Sequence, residues 1–538
     1  MLQMEKALNK SLSILLSLAM IIGLFAAAPI SANAEITVTY LDADGTLKSA
    51  EVVPLASKDL TPGWYAVMSD LTFNDRMLCS GDVHLILCDG CTLSAKMGIT
   101  VNKNNSLTIY GQSKGTGHLN ATQTGLLNYP AVIGSNGDRD SGLITINGGS
   151  INAKNEGLGG AAIGGGSWGF GTVVINGGNI EATTDRGGSS IGGGAGAGGD
   201  VTIKGGIIYA ENKYYNVAIG GGGKQGGAQT VVTINGGEVT AKAASGPAIG
   251  TGYDVRCVIN IKGNYEVIVN TSASENGASQ WDKATALSTY KYIQITKYKV
   301  LTGSITNGTL TSDLHYYDPG EVVTLTCEAG NGYHLHSVSL APVYEISSRE
   351  IPLTAIDGTN ANGSQSCHHL VDDNSESKWV TSKENSYIIM DAQNKVEMTG
   401  YSLITGNDNE SYDGRNWKNY TIYGANFESA AQATRDSSEW NEIKAVVDDN
   451  VLEDRNCKRY DFTLDSPAEA YRYYKIEIAS NKGGRSCQMS EFILKGRSSV
   501  PEVAGSGNTR TFTMPHISVV ANAVFKAHTG SSGFLDME

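Results

Sequence analysis

A short motif recurs along the middle of the chain and limits what the sequence can fold into. The phrase LITINGGSINAKN at residues 143–155 returns in related form at 173–185, 201–213 and 232–244. A second phrase carries an Ile-Gly pair, and its isoleucines are spaced 30, 28, 28 and 30 residues apart: Ile133, Ile163, Ile191, Ile219 and Ile249. A fixed period of this size indicates stacked units, none of which buries a core alone. Such an array offers an extended surface rather than one deep pocket.

Each unit is predicted to be one coil of a parallel β-helix. Val-Thr-Ile and Ile-Thr-Ile triplets suit half-buried strands. The Gly-Gly pair that follows them, as at Gly148 and Gly149, permits a sharp turn. Two or three short strands per coil, with isoleucines stacked inside, account for the period. The same rhythm, less regular, extends back through residues 88–122. We therefore predict a parallel β-helix with an N-terminal cap over residues 35–297.

The first residues have the pattern of a secretion signal. Lys6 and Lys10 form a basic region, residues 12–28 an apolar one, and Ala32-Asn33-Ala34 a small-residue cleavage site. Residues 1–34 are therefore predicted to be a signal peptide. No other apolar run is long enough to span a bilayer, so no transmembrane anchor is expected, and the tail at 528–538 shows none. The expected location is secreted or on the extracellular surface of a bacterium.

Charge and composition bound the partners of such a protein. The formal net charge is −14, and lysine and arginine do not cluster. This argues against nucleic acid and anionic membranes as partners. Asn, Gly, Ser and Thr are abundant, and tyrosine (25) outnumbers phenylalanine (9). Neutral glycans, including polysaccharides of a host or cell surface, suit this composition better.

The pattern changes after Lys297. Residues 298–343 alternate strands and turns, with Pro-Gly-Glu-x-Val at 319–323, and resemble a small immunoglobulin-like bacterial surface repeat. That family closes with Phe-Thr-Met-Pro and alternating valines, which here appear only at 512–515 and beyond. The resemblance implies a split repeat, 298–343 plus 498–527, with residues 344–497 inserted as an independent domain. Exposed loop tips tolerate such insertions.

The inserted segment resembles the coagulation-factor type C (discoidin-like) family, which includes sugar-binding modules of bacterial glycosidases. Its order of motifs is an acidic loop before a tryptophan, a strand ending in aspartate, a central aromatic strand, an Arg-Tyr strand and a closing strand. The matching residues are 372–379, 387–391, Trp417, Tyr420, 422–424, Trp440, 471–476, 490–492 and Gly496. The resemblance implies a β-sandwich of the jelly-roll type. The whole chain is thus predicted to be all-β.

Bacterial members of this family commonly hold a structural calcium ion in the acidic loop. Calcium binds six or more oxygen ligands. The resemblance assigns such ligands to Asp372, Asn374, Ser377 and Glu491, while Asp373 stands where the family usually has glycine. The alternative is a hydrogen-bonded turn capped by Glu491.

Sugar recognition in the family uses loops at one end of the sandwich, where an aromatic face covers a pyranose and polar side chains bind its hydroxyls. The loop at 406–419 is the richest candidate. Its predicted sugar-contacting residues are Asn407, Asp408, Arg415 and Trp417, and it also holds Tyr412 and Asn416. The alternative is structural, with Trp417 in the core and Arg415 paired with Asp408.

The eight cysteines are sparse, and one pair is predicted to form a disulfide. Cys367 lies five residues before Asp372, and Cys487 lies four before Glu491. If both acids share one calcium ion, the two cysteines lie in the same neighbourhood, although their Cα atoms must come within about 7 Å. The alternative is two unpaired buried thiols. Cys88 and Cys91 form a lone Cys-x-x-Cys, for which buried thiols are the favoured interpretation.

Catalysis is the remaining question, because many β-helices degrade polysaccharides. Such enzymes need paired carboxylates, or a base beside calcium, on one face. Asp138 and Asp140 flank Arg139 after the first Ile-Gly turn and are the best candidates, although a solvated turn is the simpler interpretation. The sequence therefore favours a noncatalytic glycan-binding protein that uses the discoidin-like module for adhesion or targeting. The alternative is a glycoside hydrolase or polysaccharide lyase targeted by that module.

Overall fold

The computed structural model describes residues 36–125, 129–137, 139–223, 229–252, 256–283, 285–314, 316–343, 348–382 and 384–528. The predicted signal peptide and the last ten residues lie outside this part. The chain divides into two compact units, up to Ile207 and from Ile208 onward. Each unit is described by itself.

The described residues form strands joined by turns, with four short 3-10 helices at Leu287–Thr289, Cys367–Val371, Asn409–Ser411 and Ala430–Gln432. The strands of the first unit are β1 (Ile36–Leu41), β2 (Leu47–Pro54), β3 (Asp59–Leu60), β4 (Gly63–Val67), β5 (Leu71–Phe73), β6 (Met77–Cys79), β7 (Asp82–Leu87), β8 (Thr92–Ala95), β9 (Ile99–Thr100), β10 (Ser106–Gly111), β11 (His118–Gln123), β12 (Ile133–Gly134), β13 (Leu143–Ile146), β14 (Ser150–Asn155), β15 (Ile163–Gly164), β16 (Gly171–Ile175), β17 (Asn179–Thr184), β18 (Ile191–Gly192) and the first part of β19 (Gly199–Asn212).

The first unit is a parallel β-helix, as the repeat predicts. Strands at the same position of successive coils pair in parallel, and their inward residues form three ladders that are at most 1% exposed. These ladders are Val83, Leu107, Ile144, Val173 and Val201; Leu93, Leu119, Ile151 and Ile180; and Ile99, Ile133, Ile163 and Ile191. Each such side chain contributes about 1.5–3 kcal/mol by its burial. Parallel pairing begins already between β2 and β4 and between β3 and β6, before the stretch in which the sequence shows the rhythm.

The Ile-Gly pair of each coil has a steric reason. Gly164 has φ of +135°, and a Cβ there would collide with the carbonyl oxygen of Gly192 in the next coil. The backbones of successive coils therefore approach each other more closely at this corner than a side chain permits. This contact explains why isoleucine is followed by glycine in each repeat.

An antiparallel hairpin caps the start of the stack. β1 and β2 pair antiparallel, and Tyr40 packs against Trp64 and Tyr110 with ring centroids 5.0 and 4.7 Å away. These residues form a small core of their own with Val38 and Val52. The predicted N-terminal cap is thus an aromatic cluster over the open end of the coils.

The second unit contains the rest of β19, and β20 (Ile219–Gly221), β21 (Thr230–Ala243), β22 (Ile249–Thr251), β23 (Cys257–Ile261), β24 (Glu266–Asn270), β25 (Ser279–Gln280), β26 (Tyr292–Thr296), β27 (Tyr298–Thr302), β28 (Gly308–Ser312), β29 (Tyr316–Tyr317), β30 (Val322–Ala329), β31 (Tyr333–Pro342), β32 (Arg349–Ile351), β33 (Thr354–Gly358), β34 (Trp379–Ser382), β35 (Ser386–Ile404), β36 (Trp417–Ala425), β37 (Asn441–Val446), β38 (Arg459–Thr463), β39 (Ala470–Asn481), β40 (Ser486–Met489), β41 (Glu491–Ser498), β42 (Thr509–Thr513) and β43 (Val519–Ala527).

The coil pattern continues into this unit and then ends. β21 pairs in parallel with β23, and Ile219 aligns with Ile249. β26 then pairs antiparallel with both β21 and β24. An antiparallel strand does not continue the winding direction of the coils, so this strand closes the stack.

A small β-sandwich follows, and it is made from two distant stretches of chain. β31 and β27 pair with β43, and β30 pairs with both β28 and β42. One core joins the two stretches, and it contains Tyr298, Val323 and Leu325 together with Phe512 and Val519. Residues 298–342 and 509–527 therefore complete each other's sheets.

The residues between these stretches form a larger β-sandwich. Its main sheet has the order β32-β41-β35-β39-β36-β37, β33 and β38 also pair with β35, and β34 pairs with β40. A core that includes Trp379, Ile388, Trp417, Tyr474 and Leu494 fills the interior. The fold class is thus confirmed as all-β, with a β-helix and a sandwich of the jelly-roll type. Within the described residues, no helix has the length and apolarity needed to cross a bilayer.

Candidate functional site

An exposed aromatic side chain and an arginine lie together on the loop between β35 and β36. The guanidinium carbon of Arg415 lies 3.9 Å from the ring centroid of Tyr412, and Tyr412 is 46% exposed. This geometry is a cation–π contact, which orients both side chains. Together they present an aromatic ring beside a group of hydrogen-bond donors. We call Tyr412 and Arg415 the Tyr–Arg pair.

A buried glutamine connects the Tyr–Arg pair to the sandwich. Arg415 Nη1 donates to Gln488 Oε1 at 3.0 Å, and Gln488 is fully buried on β40. Gln488 Nε2 donates in turn to Asp408 Oδ1 at 3.0 Å and to Asn409 Oδ1. Asp408 also forms an ion pair with Lys378. Gln488 carries no charge and lies in no recognised motif, so nothing in the sequence indicates that it supports the loop.

The four predicted sugar-contacting residues divide into different roles. Arg415 is partly exposed, and Gln488 links it to Asp408, so the direct Arg415–Asp408 pair of the structural alternative does not form. Asp408 is engaged by Lys378 and Gln488. Asn407 Nδ2 donates to the carbonyl of Glu376 and so ties the loop to its neighbour.

Trp417 is the clear correction. It is 0% exposed, and its ring packs edge-to-face against Trp379 and Tyr420 with centroid distances of 6.3 and 5.5 Å. No face of the indole is open to a sugar, so the prediction of a stacking role for Trp417 is wrong. The first residue of β36 points inward because the strand must bury one face in the core. The exposed ring of the loop is Tyr412 instead.

The acidic loop brings the predicted calcium ligands together. Ser377 Oγ lies 2.9 and 2.8 Å from the two carboxylate oxygens of Asp372, and 2.9 Å from the carbonyl oxygen of Asn374. Glu491 Oε1 accepts from the backbone amide of Asn374 at 2.7 Å. The side-chain oxygen of Asn374 accepts from the amide of Glu376, so Asn374 offers its carbonyl rather than its side chain.

The acidic loop places the carboxyl groups of Asp372 and Glu491 close together. Burial, followed by the hydrogen bond with Asp372, raises the pKa of Glu491 to about 9 although the Asn374 amide lowers it. The nearby group that can carry a positive charge is His369, whose Nδ1 lies 2.8 Å from Asp372 Oδ2. The described residues contain no group of three or more His, Cys, Asp or Glu placed to hold a metal. A cation here would thus depend on carbonyl and hydroxyl oxygens, which calcium accepts.

Asp373 explains how the loop turns without the usual glycine. Its φ is +57°, in the left-handed region that glycine occupies without strain. Aspartate is one of the few other residues that tolerate this conformation. Its side chain is 83% exposed and lies 3.3 Å from Lys283. The substitution therefore preserves the bend and adds a carboxylate outside the ligand set.

The predicted disulfide is not present. All eight cysteines lie in the described part of the chain, and no two of them are joined. Cys367 and Cys487 are both buried in the same sandwich core, as the neighbourhood argument expects. Burial raises the pKa of the Cys487 thiol to about 12 and raises that of Cys367 as well. The alternative of two buried thiols is the arrangement that the structure shows.

Of the two candidate catalytic residues on the β-helix, Asp138 and Asp140, the structure describes Asp140. Asp138 lies outside the described residues. Asp140 accepts from the backbone amide of Phe170 and from Lys103, both at 2.9 Å. Burial alone would raise the pKa of Asp140, but these two bonds outweigh it and lower the pKa. Asp140 therefore connects neighbouring coils, which is a structural role.

Sequence comparison identifies the repeat region. A family model described as a beta helix repeat matches residues 144–167, 173–195 and 232–253. These segments coincide with the coils in which the Val-Thr-Ile and Ile-Gly phrases recur. No curated protein sequence matches the chain.

Several solved structures similar to part of this chain are carbohydrate-binding modules. The family 32 module of C. perfringens NanJ, in complex with galactose, is 15% identical and covers 28% of this chain and 99% of its own, with a TM-score of 0.22. The family 32 module of Streptococcus pneumoniae EndoD is 15% identical, over 27% and 97%, with a TM-score of 0.22. Chitosan-binding module 1 from a chitosanase/glucanase of Paenibacillus sp. IK-5 is 14% identical, over 27% and 96%, with a TM-score of 0.21. At such identities and TM-scores, the function of this chain has to be argued from its own residues.

Proposed function

We propose that this protein is a secreted, noncatalytic glycan-binding protein whose β-sandwich carries the sugar site at the Tyr–Arg pair. The observation that carries the proposal is that Tyr412 is a 46% exposed residue and that the Arg415 guanidinium carbon lies 3.9 Å from the centroid of its ring. An aromatic ring supplies an apolar surface for the C–H face of a pyranose, and guanidinium N–H groups donate to its hydroxyls.

The contacts that hold the Tyr–Arg pair in place make it suited to binding a sugar. Ligand affinity is lost when side chains must be ordered on binding. Here the cation–π contact and the bond to buried Gln488 already hold Arg415 in place, and Asp408 and Asn409 hold Gln488. One ring and a few hydroxyl bonds typically give about millimolar to micromolar dissociation constants. Strong adhesion would then require several copies of the protein on one surface.

A catalytic role has less support. Asp140, the described member of the candidate acid pair, accepts hydrogen bonds from the Phe170 amide and from Lys103. A general acid or nucleophile needs a carboxyl group that can reach the substrate. We therefore assign the β-helix to display and binding, not to cleavage of a glycan.

The proposal also includes a structural calcium ion in the acidic loop. The Asp372 carboxylate, the Ser377 hydroxyl, the Asn374 carbonyl and the Glu491 carboxylate are the oxygen donors. When bound, calcium would supply positive charge between the two acids and fix the loop beside the sandwich. A cavity of about 860 Å³ is lined by Asp372, Asp373 and Glu491 among others.

The sugar site is tested with the full chain lacking residues 1–34, applied to a glycan array and then titrated calorimetrically with the glycans that bind. Galactose and the disaccharide GalNAc-β-1,3-galactose, each bound in a solved module similar to part of this chain, are suitable first probes. We expect Tyr412→Ala and Arg415→Ala each to weaken binding about tenfold or more, the equivalent of about 1.4 kcal/mol.

The matched control is Tyr387→Ala. Tyr387 also lies beside an arginine, with Arg435 4.8 Å from its ring centroid, but it is on the sheet rather than on the loop. Its removal should leave glycan affinity unchanged. Equal loss of affinity in Tyr387→Ala and Tyr412→Ala, or binding that survives both loop substitutions, would show that the sugar site lies elsewhere.

A further inference from the structure

One tryptophan of the β-helix is exposed without an evident reason for its exposure. All six tryptophans lie in the described part of the chain, and Trp168 alone is classed as exposed, at 53%. It follows the Ile-Gly corner of its coil by five residues, on the segment between β15 and β16. Leaving so large an apolar side chain in water forgoes burial worth about 2 kcal/mol or more. A contact with a ligand would recover that energy.

The ring of Trp168 contacts the next coil at Gly196. Gly196 is buried, and the nearest atoms to a Cβ built at this residue are three ring atoms of Trp168, with which it would collide. The amide of Gly196 also donates to the carbonyl of Ser167 at 3.1 Å, and Ser167 is 6% exposed. The indole is therefore supported by backbone on one side while more than half of the residue stays open to solvent.

A second exposed aromatic residue, Tyr129, lies in the preceding coil. The amide of Ser167 donates to the carbonyl of Tyr129, in the preceding coil, at 3.0 Å. Tyr129 is 43% exposed and has a φ of +44°, which is unusual for a residue with a side chain. Tyr129 is thus joined through its backbone to Ser167, the residue before Trp168, in the next coil.

The surroundings of these rings indicate the chemistry of the ligand. The neighbouring residues of Trp168 are Ser167, Gly169 and Gly196, and the backbone of Arg139 in the preceding coil lies against Gly169, so peptide groups line this corner. Exposed rings beside unblocked peptide groups suit a ligand with apolar C–H faces and many hydroxyls. The net charge of −14 disfavours an acidic polymer. Since coils succeed one another along the corner, an extended chain of sugars suits it better than one residue.

We propose that Trp168 and Tyr129 form a second glycan-binding surface, on the corner of the β-helix, which takes a neutral polysaccharide chain. Stacking of sugar rings on the two aromatic side chains supplies the affinity. This surface is separate from the Tyr–Arg pair and does not depend on it. The proposal therefore stands or falls independently of the sugar site proposed for the sandwich.

The test uses the full chain lacking residues 1–34 with Tyr412→Ala and Arg415→Ala introduced throughout, so that the contribution of the sandwich site is reduced to a minimum. Native affinity electrophoresis through gels containing galactomannan or hydroxyethylcellulose measures retardation by a neutral polysaccharide. We expect retardation in at least one gel, and we expect Trp168→Ala to abolish it and Tyr129→Ala to reduce it. Leu143→Ala is the matched control, because Leu143 is 43% exposed on the same unit but lies on β13.

Gly196→Ala tests the geometry without removing an aromatic ring. The added methyl group displaces the Trp168 ring from its support, so this variant should lose retardation like Trp168→Ala while its melting temperature stays within a few degrees. Sedimentation velocity is run on the same samples. The proposal is overturned if neither polysaccharide retards the parent protein, or if Trp168→Ala migrates like Leu143→Ala. It is equally overturned if Trp168→Ala converts a self-associated protein to monomer, since the surface would then bind a second copy of the chain.

Discussion

Trp417 packs edge-to-face against Trp379 in the interior of the sandwich, with 6.3 Å between the ring centroids, and both side chains are fully buried. The two tryptophans come from motifs that resemble different parts of a discoidin-like module. Their contact makes Trp417 a core residue, although its position in a polar loop sequence suggested a sugar-binding role.

Replacing Trp417 should therefore affect stability first. Truncating a buried tryptophan to alanine costs about 3–5 kcal/mol, so we expect Trp417→Ala to lower the melting temperature and to reduce the near-ultraviolet circular dichroism. Trp417→Phe should cost less, because Nε1 of Trp417 has no hydrogen-bond partner within the described structure. Tyr412→Ala, at an exposed position, should change stability by no more than about 0.5 kcal/mol. A Trp417→Ala protein with unchanged stability and lost sugar binding would contradict this assignment.

Calcium should raise the thermal stability of the protein. A ligand that binds only the native state stabilises it by about 2.7 kcal/mol at a hundredfold excess over its dissociation constant. Differential scanning calorimetry in calcium and in EDTA measures the shift. Asp372→Asn should remove it, whereas Asp373→Asn should preserve it, because the Asp373 side chain is 83% exposed and outside the ligand set. Equal melting curves in calcium and EDTA would show that the acidic loop is only a hydrogen-bonded turn.

Mild acid should destabilise the second unit through His516. This side chain is fully buried, its Nε2 lies 3.1 Å from the carbonyl of Ala392, and its ring packs against Tyr298. Burial and then the charge of Arg349 lower the pKa of His516 to about 3. The unfolded chain binds a proton near pH 6.5 while the folded chain does not. The free energy of unfolding therefore falls as pH drops from about 6.5 toward 3, by at most about 1.4 kcal/mol per pH unit.

The measurement for His516 is the melting temperature between pH 7.5 and 4.5. His516→Gln should flatten the dependence on pH, and His336→Gln, at an exposed histidine, should leave it as in the parent protein. A slope that survives His516→Gln unchanged would mean that other groups cause it.

Asp140 should behave as a structural residue. Asp140→Ala leaves the Phe170 amide without its acceptor and removes the ion pair with Lys103, at an expected cost of about 1–3 kcal/mol. The melting temperature of the β-helix should fall. Reducing-sugar assays on polysaccharides should show no release by either the parent protein or the variant. Release of sugar ends by the parent that is abolished in Asp140→Ala would instead support the lyase or hydrolase alternative.

Much of the site was predictable in outline but not in detail. The acidic loop was predictable because three of the four predicted ligands lie in one short motif and the family resemblance supplied Glu491 from a distant strand. The structure adds the bond that joins Glu491 to the Asn374 amide. Arg415 was predictable as a polar loop residue. Gln488 was not, because its importance comes from accepting a bond from a residue 73 positions away.

The sequence by itself indicated the β-helix, because strand-forming phrases recur at a fixed period and each coil must bury the same isoleucines against its neighbours. The sequence also indicated that a different domain begins after Lys297, because the repeated phrases of the β-helix stop there and a different pattern of strands and turns follows. Only the tertiary structure decided which rings are buried and which are exposed. Trp417 and Tyr412 lie five residues apart in a loop of similar polarity, yet one fills the core and the other faces solvent. That choice depends on the direction in which β36 leaves the loop and on the space left by Trp379, and a linear pattern contains neither.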